Sequence, residues 1–231
     1  MTGPSTLGGV DIDSITPVAQ DYVKAIWAAT EWGDPPITTK ALASRFGTTA
    51  ANVTDTMKRL AAQGLVAYEP YRPVVLTATG TRFAVAMVRR HRLLETFLVT
   101  ALNYGWDEVH DEAERLEHAA TERLIDRIDA LLGHPATDPH GDPIPDASGR
   151  APAPTGAVRL AGAGAGRHLV RRVSDADPGT LAEAAGLGIV PGAHILVAQD
   201  PAGLFLETSA GPRRVNDEIA SATWTTPAAR P

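Results

Sequence analysis

The sequence predicts a mainly α protein with a small β portion: an N-terminal winged helix-turn-helix, a helical middle region and a C-terminal SH3-like β-barrel. Threonine caps and glycine stops mark three helices in the first quarter of the chain. Two long amphipathic patterns predict helices over 81–101 and 107–132, and a proline-rich loop follows Gly133. Short β-rich runs separated by turns begin near Ala157. We expect domains at 1–80, 81–145 and 157–231, with a linker at 146–156.

Composition excludes several classes of protein. The 231-residue chain is 44% hydrophobic, which is ordinary for a soluble globular protein. It has no cysteine, so disulfides, iron–sulfur clusters and cysteine nucleophiles are excluded. Its first residues do not have the pattern of a signal peptide, and no apolar run is long enough to predict a membrane span. We therefore expect a cytoplasmic protein with no membrane partner.

The N-terminal region has the element order of a winged helix-turn-helix. Thr16 caps a helix that has Pro17 at its first position, and Thr38 and Thr49 cap two shorter helices. The last of these ends at Gly64 and is followed by two β-rich runs around a proline-containing turn. In this architecture the second helix of the helix-turn-helix pair enters the major groove of DNA.

Double-stranded DNA is the expected partner of that helix, although an ordinary three-helix bundle with a hairpin is the alternative. Residues 40–72 carry five Lys/Arg against two acidic residues, so one copy would bind DNA weakly. A homodimer on a palindromic operator would compensate. The expected base contacts are Ala51, Asn52, Thr54 and Asp55, and the expected phosphate contacts are Lys58, Arg59 and Arg72.

The region 89–118 predicts a site for a divalent cation. At 100° per residue, one face of the second long pattern carries His110, Glu114, Glu117 and His118. His91 and Glu95 form an i,i+4 pair on the preceding pattern. Carboxylates packed this closely repel one another without a cation, and imidazoles with carboxylates suit an ion of hard to borderline character.

An enzymatic function has less support from the sequence. The segment around His110 has no HExxH motif, so the metalloprotease arrangement fails. The glycines at 160–166 lack the GK[ST] of a phosphate-binding loop, and no nucleophile elbow is present. A metal-dependent hydrolase would need an open coordination position and a general base, and would leave the winged helix unexplained. We expect no catalytic residues and no small-molecule substrate.

Several segments together resemble the diphtheria-toxin-repressor family of metal-dependent transcriptional regulators. They are AQDYVKAIW (19–27), the winged helix, RRHRLLETFL (89–98), EVHDEAERLEHA (108–119) and GDPIP (141–145). Residues 171–192 are similar, more loosely, to the SH3-like (FeoA-like) domain of the longer members. The resemblance implies a helical dimerisation domain and two metal sites per subunit.

The resemblance also implies a role for each ligand. The primary site would take Asp21, Glu114, Glu117 and His118. The ancillary site would take His91, Glu95 and His110, with an oxygen ligand from the SH3-like domain for which Asp177 is the first candidate and Asp175 the second. Alternatively, the barrel is a protein-interaction module. Its deletion would then leave metal-dependent DNA binding intact.

The metal implied by the resemblance is Mn(II). Iron-responsive members carry Met and Cys at the positions of Asp21 and Glu114, whereas manganese-responsive members carry Asp and Glu, which favour a harder ion. The short manganese regulators have an acidic ligand where this chain has Lys24, which argues against a closely spaced binuclear site. We expect a Mn(II)-activated repressor of metal-uptake genes. The alternative is an Fe(II)-responsive member, and other divalent transition metals would bind in vitro.

Overall fold

The computed structural model describes residues 10–70, 72–150, 156–200 and 203–228. Its contacts divide the chain into two compact units. The first unit comprises Met1–Leu94, Leu116–Ala136 and Ile144–Ala153, and the second comprises Glu95–Arg115, Thr137–Pro143 and Pro154–Pro231. Within the described residues, no helix combines the length and hydropathy needed to cross a membrane.

Three capped helices form the start of the first unit, as the sequence predicts. They are α1 (Pro17–Glu31), α2 (Thr39–Arg45) and α3 (Ala50–Ala62). The hydroxyl oxygens of Thr16, Thr38 and Thr49 each accept a backbone N–H of the first helical turn. Their apolar faces share one core, in which Val23, Leu42 and Val53 are fully buried.

A short wing and a long helix complete the N-terminal half of the chain. Strands β1 (Val66–Ala67) and β2 (Val75–Leu76) pair antiparallel, and α4 spans Ala78–Leu102. The first turns of α4 pack on the helix-turn-helix core through Phe83, Ala84 and Met87. Together, α1–α3, β1–β2 and the start of α4 form a winged helix-turn-helix.

The predicted single helix over 107–132 is wrong, because the chain forms two helices there. Helix α5 covers Val109–Glu117 and α6 covers Glu122–Leu131. The N–H groups of Ala119 and Ala120 both bond to Leu116 O in a turn, and Thr121 then caps α6 through Leu124 N–H. The apolar spacing continues across this turn, so periodicity alone did not reveal the break.

The second unit contains a six-stranded antiparallel sheet of SH3-like type. The strands lie in the order β3-β8-β4-β5-β6-β7. Their bounds are β3 Val158–Arg159, β4 Gly166–Val173, β5 His194–Asp200, β6 Gly203–Thr208, β7 Gly211–Arg214 and β8 Thr223–Pro227. Helices α7 (Pro178–Gly186) and α8 (Asp217–Ala222) cover a core around Val173, Leu206 and Ile219. Helix α8 and strand β8 were not anticipated.

A buried loop at 137–143 belongs to the same unit. The sequence predicts a proline-rich loop here, but its interior is buried: Asp138, His140 and Asp142 are each at most 7% exposed. The Asp138 carboxylate accepts the N–H groups of His140 and Asp142, which closes the loop on itself. Gly141 packs directly against β4, where Val173 N–H donates to His140 O.

Replacement of Gly141 by alanine is expected to destabilise the fold strongly. Gly141 has φ +90, and a Cβ there would lie 2.0 Å from the carbonyl oxygen of Arg171. We expect a loss of about 3 kcal/mol or more in the free energy of unfolding. Gly133 is a matched control, because its φ is also positive (+73) but no described atom lies within 4 Å of a Cβ. Gly133→Ala should cost only about 1–2 kcal/mol, and equal losses in urea unfolding would contradict the close approach at Gly141.

Candidate metal centres

Glu117 is the hub of a charged cluster in the first unit. It ends α5 and its side chain is completely buried. Its Oε1 lies 2.5 Å from Lys24 Nζ on α1, and its Oε2 lies 2.6 Å from His91 Nδ1 on α4. Its backbone carbonyl accepts a hydrogen bond of 3.0 Å from Arg90. Burial alone would raise the pKa of Glu117, but hydrogen bonding and charge from His91 and Lys24 outweigh it and lower that pKa.

Asp21 and His118 stand beside this hub. His118 Nε2 lies 3.0 Å from Asp21 Oδ1, and His118 Nδ1 lies 2.8 Å from Gln20 Oε1. The Gln20 amide nitrogen donates to the carbonyls of Ile12 and Ile15, so its oxygen is the atom that faces His118. That oxygen can only accept, so a neutral His118 that binds a metal ion through Nε2 would carry its proton on Nδ1.

The first centre consists of Asp21, Glu117 and His118. One ligand-type atom from each lies within 4.8 Å of those from the other two. Oxygen and imidazole nitrogen are the only donors, which fits a divalent ion of hard to borderline character. His118 follows α5 and does not lie on its face, because the helix ends at Glu117. The turn after Glu117 nevertheless brings the imidazole to α1.

A second centre surrounds Glu95 in the second unit. Glu95 is 1% exposed, and its Oε1 lies 3.2 Å from His110 Nδ1. The same imidazole nitrogen lies 3.1 Å from Asp175 Oδ2. The carboxylate of Glu114, one turn along α5, lies 3.7 Å from His110 Nε2 and is one-third exposed. Glu95, His110 and Asp175 can therefore face one ion.

His140 and Asp138 also face Glu95, and the sequence analysis missed both. His140 is completely buried, and its Nε2 donates to the carbonyl oxygen of Trp106 over 2.6 Å. Its Nδ1 points towards Glu95 Oε2, 3.7 Å away, and makes no hydrogen bond within the described part of the chain. Glu95, Asp138 and His140 each offer a ligand atom within 4.8 Å of the others. A buried nitrogen directed at carboxylates fits a cation site.

The carboxylates around His110 and His140 favour protonated imidazoles in the ion-free chain. Burial opposes the charged forms, but hydrogen bonds to Asp175 and Glu95 raise the pKa of His110 to about 10. For His140, the nearby Glu95 carboxylate and the charges of Asp138 and Asp175 likewise outweigh burial and raise the pKa to about 10. The pKa of Asp175 is lowered, because the hydrogen bond from His110 outweighs burial.

The predicted ancillary ligand Asp177 lies in other surroundings. Asp177 is exposed and caps α7, where its carboxylate accepts the N–H and hydroxyl of Thr180. Asp175, the second candidate from the SH3-like domain, is the one that reaches His110. His91 has its Nδ1 on Glu117, and its grouping with Glu95 and His110, which the resemblance implies, stays a prediction.

The predicted DNA contacts lie on and next to α3. Ala51, Asn52, Asp55, Lys58 and Arg59 are exposed on this helix, whereas Thr54 is partly buried and bonds to Ala50 O. The Asn52 amide donates to Thr48, so it is held at the start of the helix. Arg72 is exposed in the wing and pairs with Glu69. The helix therefore presents polar and basic groups together.

Comparison with known proteins identifies the family. Residues 14–74 match the family model of the iron dependent repressor N-terminal DNA binding domain, and residues 77–146 match that of the iron dependent repressor metal binding and dimerisation domain. The iron-dependent repressor IdeR of Mycobacterium leprae is 31% identical over 205 residues, covering 83% of this chain and 88% of that protein. The diphtheria toxin repressor of Corynebacterium diphtheriae is 32% identical over 124 residues, covering 54% of each.

Solved structures agree with these matches. A manganese-dependent transcriptional repressor in complex with manganese is 46% identical, with a TM-score of 0.83 over 90% of this chain and 99% of that one. The manganese regulator SloR is 28% identical, with a TM-score of 0.78 over 93% of this chain and 100% of that one. The chain therefore belongs to the diphtheria-toxin-repressor family of iron-dependent repressors, and is a metal-dependent transcriptional repressor with the family's DNA-binding domain and its metal-binding and dimerisation domain.

Proposed function

We propose that this chain is a Mn(II)-activated, dimeric repressor that binds a palindromic operator and controls genes of metal uptake and homeostasis in the cytoplasm. The donor set of the first centre carries the proposal: Asp21, Glu117 and His118 offer oxygen and imidazole nitrogen without sulfur. Such donors suit Mn(II) better than a softer ion. The 46% identical manganese-dependent repressor supports the same choice.

Iron(II) is the rival metal. IdeR and the diphtheria toxin repressor, both iron-type by name or family description, are about one-third identical to this chain. Affinity order does not separate the two ions, because Fe(II) binds a given site more tightly than Mn(II). The discriminating quantity is the activation of DNA binding at equal occupancy. The family consists of repressors, so the hydrolase alternative has no support.

The first centre connects metal binding to the DNA-contacting helix α3 within one compact unit. Asp21 and Lys24 lie on α1, which shares its core with α3. Glu117 and His118 lie at the end of α5 and the turn that follows. A bound divalent ion supplies the positive charge that lets two carboxylates and an imidazole converge. Binding that favours the DNA-competent arrangement by about 1–3 kcal/mol would be enough for allosteric control.

We place the second centre at Glu95, His110, Asp138, His140 and Asp175. The roles of Glu114 in the primary site and of His91 in the ancillary site stay predictions from the resemblance.

For the dimer face, α6 offers an apolar stripe in which Leu124 and Leu131, seven residues apart, are 49% and 69% exposed. Leu116, near the end of α5, is also 38% exposed. Exposed leucines on one stripe are typical of a helix that packs on a partner.

Removal of the Asp21 carboxylate is expected to abolish Mn(II)-dependent operator binding. Asp21→Ala deletes the one ligand of the first centre that α1 contributes, so we expect at least about a tenfold loss of DNA affinity at micromolar Mn(II). Gel-shift titrations with Mn(II), Fe(II) and Zn(II) would measure it and rank the metals. Asp111→Ala, an exposed carboxylate on α5, should bind DNA as the wild type does. Unchanged DNA binding by Asp21→Ala would exclude the first centre as the switch.

Lys58→Ala is expected to weaken binding to all DNA sequences about equally. An exposed lysine on α3 that contacts phosphate releases about one counterion per subunit, so the slope of log affinity against log salt should fall by about one per subunit. Arg115→Ala removes an exposed cation on α5 and serves as the control. A loss confined to the specific operator, with an unchanged salt slope, would instead indicate a base contact.

Metal binding at the second centre is expected to release protons. The raised pKa values of His110 and His140 keep both imidazoles protonated at pH 7, whereas a coordinating imidazole must be neutral. Apparent Mn(II) affinity should therefore rise with pH, by up to about tenfold per unit for each proton released.

Calorimetry in buffers of different ionisation enthalpy would count those protons. His140→Ala should lower the number released, whereas His194→Ala, an exposed imidazole on β5, should leave it unchanged. Binding without proton release at pH 7 would contradict imidazole coordination at this centre.

A further inference from the structure

We infer that Lys24 is a built-in counter-ion that competes with the metal for Glu117 and so limits the metal affinity of the first centre. This inference rests on the proposed function, since it concerns the same site. The Lys24 side chain is 8% exposed and that of Glu117 is 0% exposed, so the pair is held away from water. A buried carboxylate needs such a partner, because desolvation of an isolated charge is very costly.

The two carboxylate oxygens of Glu117 have different partners. Oε2 is bound by His91 on the α4 side, whereas Oε1 is the oxygen near the first centre, 3.9 Å from His118 Nε2. Lys24 Nζ lies 2.5 Å from this same oxygen and forms an ion pair with it. An ion that binds Asp21, His118 and Glu117 must therefore take Oε1 from the ammonium or share it.

The ammonium cannot leave the site as a free cation would. Lys24 lies three residues after Asp21 on α1, so the backbone holds both side chains on one face of the helix. A cation that is displaced but still tethered repels the incoming divalent ion, and in a buried site this repulsion is only weakly screened. Both the competition and the repulsion lower the affinity for metal.

The same ion pair stabilises the metal-free chain. Without Lys24, Glu117 would lose its 2.5 Å ion pair and keep the contacts with His91 and His118, so the ion-free protein should be less stable. The two effects have opposite signs: loss of the ammonium destabilises the ion-free chain but strengthens metal binding. A residue that only supports the fold would weaken both.

The test measures Mn(II) affinity and thermal stability of the full chain carrying Lys24→Met. We use a His140→Ala background to weaken the second centre, and competition with a chelating dye to measure affinity. The expected result is a lower melting temperature without metal, together with Mn(II) affinity raised about tenfold or more. Lys24→Arg keeps the charge and should keep the low affinity. Arg92→Met is the matched control: it removes another buried cation, paired with Glu31, and should lower stability without raising affinity.

Lys24→Gln serves as a second neutral variant if Lys24→Met does not fold. Unchanged or weaker Mn(II) binding by a folded neutral variant would overturn the inference, as would the failure of both neutral variants to fold at saturating Mn(II). Failure of the proposed function gives a different result: Asp21→Ala would then leave Mn(II) binding unchanged in the same background. The two failures are therefore distinguishable.

Discussion

The buried carboxylate of Glu117 is the constraint on which the first unit depends. A charge with no exposure to water has to be compensated by nearby cations and donors. Lys24 comes from α1 and His91 from α4, so compensation draws both helices to the end of α5. Arg90 binds the backbone carbonyl of the same residue and an oxygen of Glu122 at the start of α6. One buried charge thus positions the end of α5, the start of α6 and the turn between them that carries His118.

Glu95 has the corresponding position in the second unit. Its compensation comes from His110 on α5 and from His140 in the buried loop. The loop is held by other contacts: Gly141 packs against β4, and the guanidinium of Arg172 lies 2.8 Å from Asp142. The His140 ring also stacks on Trp106, with ring centroids 5.6 Å apart. The centre is therefore built by tertiary packing around a short loop.

Local signals predicted the helices, because a cap needs only a few neighbouring residues. Thr16, Thr38 and Thr49 each act within one turn, so sequence alone located α1, α2 and α3. The break before Thr121 was missed because the apolar spacing continues across it. Asp177 could have been recognised as a helix cap from the Pro178 and Thr180 that follow it.

Residues that depend on tertiary packing were not accessible in this way. His140 lies in a segment whose composition predicts a proline-rich loop, and it is buried only because the loop packs within the second unit. An Asp-x-His spacing at Asp138 was the available signal. The ion pair between Lys24 and Glu117 joins residues 93 positions apart, and no local pattern predicts such a partner.

The two centres hold their negative charge in different ways, and this difference determines how each can respond to metal. The second centre gathers the carboxylates of Glu95, Asp138 and Asp175, and protons on its imidazoles offset them in the ion-free chain. Protons can leave when an ion arrives, so affinity there depends on pH. The first centre has fewer carboxylates and offsets them with the ammonium of Lys24. Because a lysine cannot leave, the cost of binding an ion there is fixed by the fold, and a change of side chain at position 24 is the direct way to alter it.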